Sequence, residues 1–115
     1  MIRIENKKHY RGEGVYIGRP SPLGNPFKIG EHGTRDEVIS TYRGWLWRQI
    51  NLRGDVYREL QRLAGIAKQG DLVLICWCKE RGRDVGCHGD VLKSAVMWLN
   101  SVSAGSSTVA ANEAD

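Results

Sequence analysis

The stretch Asp71-Leu-Val-Leu-Ile-Cys-Trp-Cys78 decides the fold. Its apolar residues are consecutive rather than alternating, which fits a strand covered on both faces at the centre of a parallel sheet. Upstream, Val56, Leu60, Leu63 and Ala67 fall at helical spacing between Asp55 and Lys68, and Gly70 ends that helix. Further upstream, Thr34-Arg-Asp-Glu37 has the form of a capping box. The helix it opens carries Val38, Tyr42, Trp45 and Gln49 on one side, and Ile39, Leu46 and Ile50 as a neighbouring stripe. Downstream, Gly89 to Asn100 reads as a third helix with Val91, Leu92, Ala95, Val96 and Leu99 turned inward. Two short β-branched segments, Ile2 to Ile4 and Val15 to Gly18, precede all of these. Strand, strand, helix, helix, strand, helix implies a parallel crossover. The expected fold is therefore a small single α/β domain, with a short, mostly parallel sheet and three flanking helices. It should occupy residues 1–100, because Ser101 to Asp115 is small and polar and reads as a disordered tail.

At 115 residues, 41% hydrophobic and 26% charged, the chain suits one globular domain and excludes wholesale disorder or a collagen-like fibre. No apolar run approaches the ~20 residues of a membrane span, and the polar N-terminus lacks a signal-peptide stretch. No membrane association and a cytoplasmic location are expected. The net charge is +4, and the tail holds Glu113 and Asp115 but no base, so the positive excess belongs to the folded body. Such a body suits an anionic partner, or is simply a soluble surface. The bases are scattered with no basic run, which argues against a nucleic-acid partner. Three cysteines argue against a disulfide framework and for reduced thiols. Tyr42, Trp45, Trp47 and Trp98 belong to the core or to a dimer face, which leaves a homo-oligomer open.

Gly18-Arg-Pro-Ser-Pro-Leu-Gly-Asn-Pro-Phe27 gathers all three prolines of the chain between a strand and the first helix. Prolines restrict the unfolded loop, and glycines admit a ligand close to the backbone. Gly18, Arg19, Pro20, Ser21, Gly24 and Asn25 could thus form an anion or nucleotide clamp. The alternative is a rigid surface loop. The segment matches neither a phosphate-binding Walker loop nor a dinucleotide fingerprint.

Cys76-Trp-Cys78 and Cys87-His-Gly-Asp90 lie at the end of the central strand and the start of the last helix, the edge where open α/β sheets bind ligands. Trp77, His88, Gly89 and Asp90 are therefore candidate ligand contacts. The first turn of the last helix would offer N–H groups to a phosphate. Asp90 reads as a ribose acceptor or general base, or alternatively as a helix-capping acid. His88 reads as a proton shuttle or phosphate donor, or as a buried, satisfied histidine. Cys76, Cys78, Cys87 and His88 have zinc-ligand chemistry. Their C-x-C and adjacent Cys-His spacing departs from the usual C-x₂₋₄-C pairs, so the expectation is no cofactor, with zinc as the minor alternative.

Taken together, Tyr16-Ile-Gly-Arg-Pro-Ser-Pro-Leu-Gly-Asn-Pro-Phe27, Arg35 to Tyr42, Cys76-Trp-Cys78 and Cys87-His-Gly-Asp-Val-Leu92 resemble DUF4326, a small phage and bacterial family of unknown function. The resemblance spans nearly all of residues 1–100. It implies a single compact domain and a phage or prophage setting, hence a host cytoplasm, and no activity. Lys79 to Gly86 is longer and more charged than the short proline-bearing link usual there.

The functional expectation is a domain that binds a nucleotide-type anion, such as an ADP-ribose-like or cyclic nucleotide signal. In a phage such a domain could sequester a host immune signal. The alternatives are a hydrolase or N-glycosidase on a nucleotide or nucleoside, with His88 or Asp90 as base, and a zinc-stabilised nucleic-acid-binding module.

Overall fold

The computed structural model describes residues 1–77 and 87–104. Its elements are β1 (Ile2–Asn6), β2 (Val15–Tyr16), α1 (Arg35–Leu52), α2 (Asp55–Gln69), β3 (Leu72–Cys76) and α3 (His88–Ala104). The sheet order is β1-β3-β2 and both pairings are parallel. The class is the expected α/β, with β3 in the centre. Ile2 pairs with Leu72 and Asn6 with Cys76 on one side, and Tyr16 pairs with Ile75 on the other. Because all three strands run the same way, the loops that follow them leave from one edge.

Side chains alternate along a strand. Leu72, Leu74 and Cys76 therefore share a face, and this face joins the core built with α1, α2 and α3. The opposite face carries Val73, which is buried, and Ile75, which is only part-buried and reaches surface hollows. The expected cover on both faces is thus complete on one and partial on the other. The helices stack on one another and on a single face, so the unbroken apolar run reflects a central position more than a second helical layer.

The Thr34 capping box is present in both halves: Thr34 Oγ1 accepts from the Glu37 amide, and Glu37 Oε1 accepts from the Thr34 amide. The carboxyl of Glu37 is held below its ordinary pKa chiefly by that backbone hydrogen bond. The inward stripe of α1 is Val38, Tyr42, Leu46 and Ile50, each four residues on from the last. Arg53 closes the helix in the left-handed region (φ 58°). In α2, Leu60, Leu63 and Ala64 are buried, while Val56 and Ala67 pack at the margin. Trp47 and Trp98 meet edge to face at 5.0 Å, part-buried between α1 and α3.

Helix α3 runs four residues beyond Asn100, so Ser101 to Ala104 belong to the folded body rather than to a tail. Residues 105–115 lie outside the described part. Among the described residues no helix is long and apolar enough to cross a membrane.

Candidate functional site

Two segments meet at the carboxyl edge of the sheet, the loop after β2 and the turn before α3. The one after β2 is held in shape by its own polar groups. Ser21 N–H donates to the Gly18 carbonyl at 2.8 Å and Gly24 N–H to the Ser21 carbonyl at 3.0 Å. Arg19 Nη1 donates to the Asn25 carbonyl at 2.7 Å, and Asn25 Oδ1 accepts from the Phe27 amide at 2.8 Å. Gly24 is required here: a Cβ would sit 2.9 Å from Arg19 N and from the Gly18 carbonyl carbon. Two tyrosines brace the loop from outside. Tyr16 donates its hydroxyl to the Arg19 carbonyl at 2.9 Å, and Tyr42, fully buried in α1, donates to the Leu23 carbonyl at 2.7 Å. Burial pushes the Tyr42 phenol far above its ordinary pKa, so it remains a donor.

The turn before α3 is also self-satisfied. Cys87 N–H donates to Asp90 Oδ2 at 3.1 Å, Gly89 N–H to Cys87 Sγ at 3.3 Å, and Asp90 N–H to the Cys87 carbonyl at 2.9 Å. Asp90 therefore acts as the acid that returns to the start of its helix, which was the capping alternative. This corrects the expectation that the first turn of α3 lies open to a phosphate, since the Cys87, Gly89 and Asp90 amides already have partners. Gly89 is buried against the sheet, and a Cβ there would meet Ile17 Cδ1 and Ile4 Cγ2 at 3.2 Å.

His88 is 7% exposed, and its Nε2 lies 2.8 Å from the Ile17 carbonyl. A carbonyl only accepts, so Nε2 carries the proton and Nδ1 holds the lone pair of the neutral ring. Burial is the main cause that lowers the His88 pKa; the hydrogen bond to Ile17 opposes it, and the Arg19 charge assists. The ring also meets Tyr42 edge to face at 5.2 Å. His88 thereby ties the end of β2, the start of α3 and the inner face of α1 together. Its Nε2 proton is committed to Ile17 rather than offered to a phosphate.

Cys76 is fully buried and Cys87 is disulfide-bonded, which departs from the expected reduced state. The fold brings the end of β3 against the start of α3, leaving Cys76 Sγ 3.2 Å from Cys87 Sγ. Counting cysteines cannot foresee that proximity. Cys87 Sγ is 4.0 Å from His88 Nδ1. Of the candidate zinc set, Cys78 lies outside the described residues. Among the described residues no group of three His, Cys, Asp or Glu is arranged to hold a metal.

The proline-rich loop and the His88 turn do face one cavity, of about 620 Å³. Of the candidate ligand contacts, Gly18, Arg19, Asn25, Trp77 and His88 line it. Pro20, Ser21, Gly24, Gly89 and Asp90 do not: Ser21 and Gly24 hold the backbone of the loop together, and Gly89 and Asp90 face the sheet and the helix start. Sequence reasoning missed Tyr16, Phe27, Lys28, Ile29, Arg35, Val38 and Ile39, which complete the wall. The available signal was the i, i+3, i+4 spacing of Arg35, Val38 and Ile39, which puts all three on one side of the first turn of α1. Arg19, Lys28 and Arg35 give the wall three cations, and no carboxylate is among the described residues lining it. Tyr16, Phe27 and Trp77 give it aromatic surface, and Trp77 is 56% exposed.

No curated protein and no solved structure matches the chain. The family described as a domain of unknown function, DUF4326, matches residues 2–98. That match covers most of the 115 residues, so the chain belongs to the DUF4326 family.

Proposed function

We propose that this domain binds a small nucleotide-type anion in the cavity between the proline-rich loop and the His88 turn. The observation that carries this reading is the wall itself, with Arg19, Lys28 and Arg35 beside Tyr16, Phe27 and Trp77 and no carboxylate among its described residues. A volume of about 620 Å³ lies within the range of small-molecule sites, roughly 300–1,000 Å³. Phosphates suit the guanidinium groups and a base or ribose suits the aromatic faces.

Binding is favoured over turnover. Asp90 is occupied at its helix start, and the Nδ1 lone pair of His88, the atom a base would use, lies against Cys87 Sγ at 4.0 Å. Neither of the two expected bases is presented to a bound ligand as a general base needs to be. Binding without turnover is the chemistry of a protein that sequesters a signal nucleotide.

Titration calorimetry with ADP-ribose, cyclic mononucleotides and nucleoside mono- and diphosphates tests the proposal. One of these should bind, a Lys28→Ala, Arg35→Ala double variant should weaken it at least tenfold, and the ligand should be recovered intact. Failure of the whole panel to bind would overturn the reading, and release of a cleaved product would replace it with hydrolysis.

A further inference from the structure

A second hollow, of about 530 Å³, opens beside the first. It is lined by Lys7, Lys8, Tyr10, Arg11, Gly12, Ile75 and Trp77, which again means three cations and no carboxylate among the described residues. Two contacts join it to the first cavity. Trp77 lines both, and Lys7 Nζ from the second sits 5.5 Å from the centre of the Tyr16 ring in the first. The Trp77 backbone is fixed between them, its carbonyl accepting from Asn6 Nδ2 at 3.3 Å. Bases scattered in sequence are therefore collected by the parallel sheet into one band. It runs from Arg11, Lys8 and Lys7, past an exposed indole, to Arg19, Lys28 and Arg35.

Resting on the proposed nucleotide cavity, we infer that its ligand extends across Trp77 into the second hollow and has at least two nucleotide units, as a short single-stranded oligonucleotide does. Cations flanking an exposed aromatic face form the arrangement on which single strands bind. Phosphates follow the bases of the protein, and a nucleobase of any identity stacks on the ring. The absence of a contiguous basic run does not oppose this, because the charge is assembled in space rather than along the chain.

The test is calorimetry at low salt with thymidine 5′-phosphate, its 5′-phosphorylated dinucleotide and the corresponding tetranucleotide. The wild-type protein should bind the dinucleotide at least tenfold tighter than the mononucleotide, and each added phosphate contact should steepen the salt dependence by about 0.7 in log K per log salt. In a Lys8→Ala, Arg11→Ala double variant the ratio of the two affinities should fall towards one. Both side chains are exposed, so the fold should survive, as an unchanged melting curve would confirm. Equal affinity for the mono- and dinucleotide, or a ratio that the double variant leaves intact, overturns the extension while leaving the cavity reading in place. Binding of ADP-ribose with none of any thymidylate has the same meaning. No binding of any nucleotide overturns both.

Discussion

Replacing Tyr42 with phenylalanine removes one oxygen from the place where α1 holds the proline-rich loop. The Tyr42 hydroxyl is buried and donates to the Leu23 carbonyl at 2.7 Å across 19 positions of sequence. Leu23 is itself 1% exposed, so its carbonyl has no route to water once the hydroxyl is gone. Leaving a buried acceptor unsatisfied costs about 1–3 kcal/mol. The ring volume is unchanged, so the edge-to-face contact with His88 at 5.2 Å persists and no cavity opens. The loss therefore isolates the hydrogen bond. At about 4–8 °C per kcal/mol for a domain of this size, a mid-range 2 kcal/mol lowers Tm by about 8–16 °C. Urea unfolding followed by tryptophan fluorescence measures the free energy, and nucleotide affinity should fall with it because Arg19 and Asn25 ride on the same loop. A loss below about 0.5 kcal/mol, with affinity intact, would refute the argument that Tyr42 anchors this loop.

His88 predicts a pH dependence. Its pKa is lowered in the folded state, so the unfolded chain takes up the proton first as pH falls. The contribution is complete above the ordinary histidine value near 6.5 and is lost below it, with a slope of at most about 1.4 kcal/mol per pH unit. His88→Gln should flatten urea-midpoint profiles between pH 7 and 5, and an unchanged slope would show that another group controls that window. Gly24→Ala must move backbone at Arg19 or Gly18 and should cost about 1–3 kcal/mol in urea unfolding; wild-type stability would mean that the loop yields easily. Thr34→Ala removes half of the capping box and should cost about 1 kcal/mol, read by thermal unfolding, and no change would show that the cap is replaced by water.

What could be read from sequence was local or periodic. The apolar run of β3, the Thr34 to Glu37 box and Gly70 each act over a few residues, and each appears where chemistry puts it. The meeting of the two signature segments was also legible, because parallel strands with crossovers bring their carboxyl ends to one edge. Partner choice was not legible. Arg19 and Asn25 looked like ligand donors, yet each gives part of its hydrogen bonding to the loop itself. Asp90 could have faced a ribose as readily as an amide, and only the geometry of the turn decides. Ser101 to Ala104 have the composition of a tail and are drawn into α3 by continuation of its backbone ladder. Lys7, Lys8 and Arg11 were unremarkable until the sheet set them beside Trp77.

The middle position of β3 leaves the sheet with two borders of unequal reach. The β2 border is two residues long, too brief to template a foreign strand, whereas β1 presents five. Among the described residues no strand pairs with the outer side of β1; main chain of that length invites edge-to-edge growth between molecules, and charged side chains are a common deterrent. Arg3 and Glu5, ion-paired at 3.1 Å, stand on that border. Exchanging both for valine should leave the monomer folded but make it self-associate, which would place the guard against edge pairing in one pair of residues remote from its cavity.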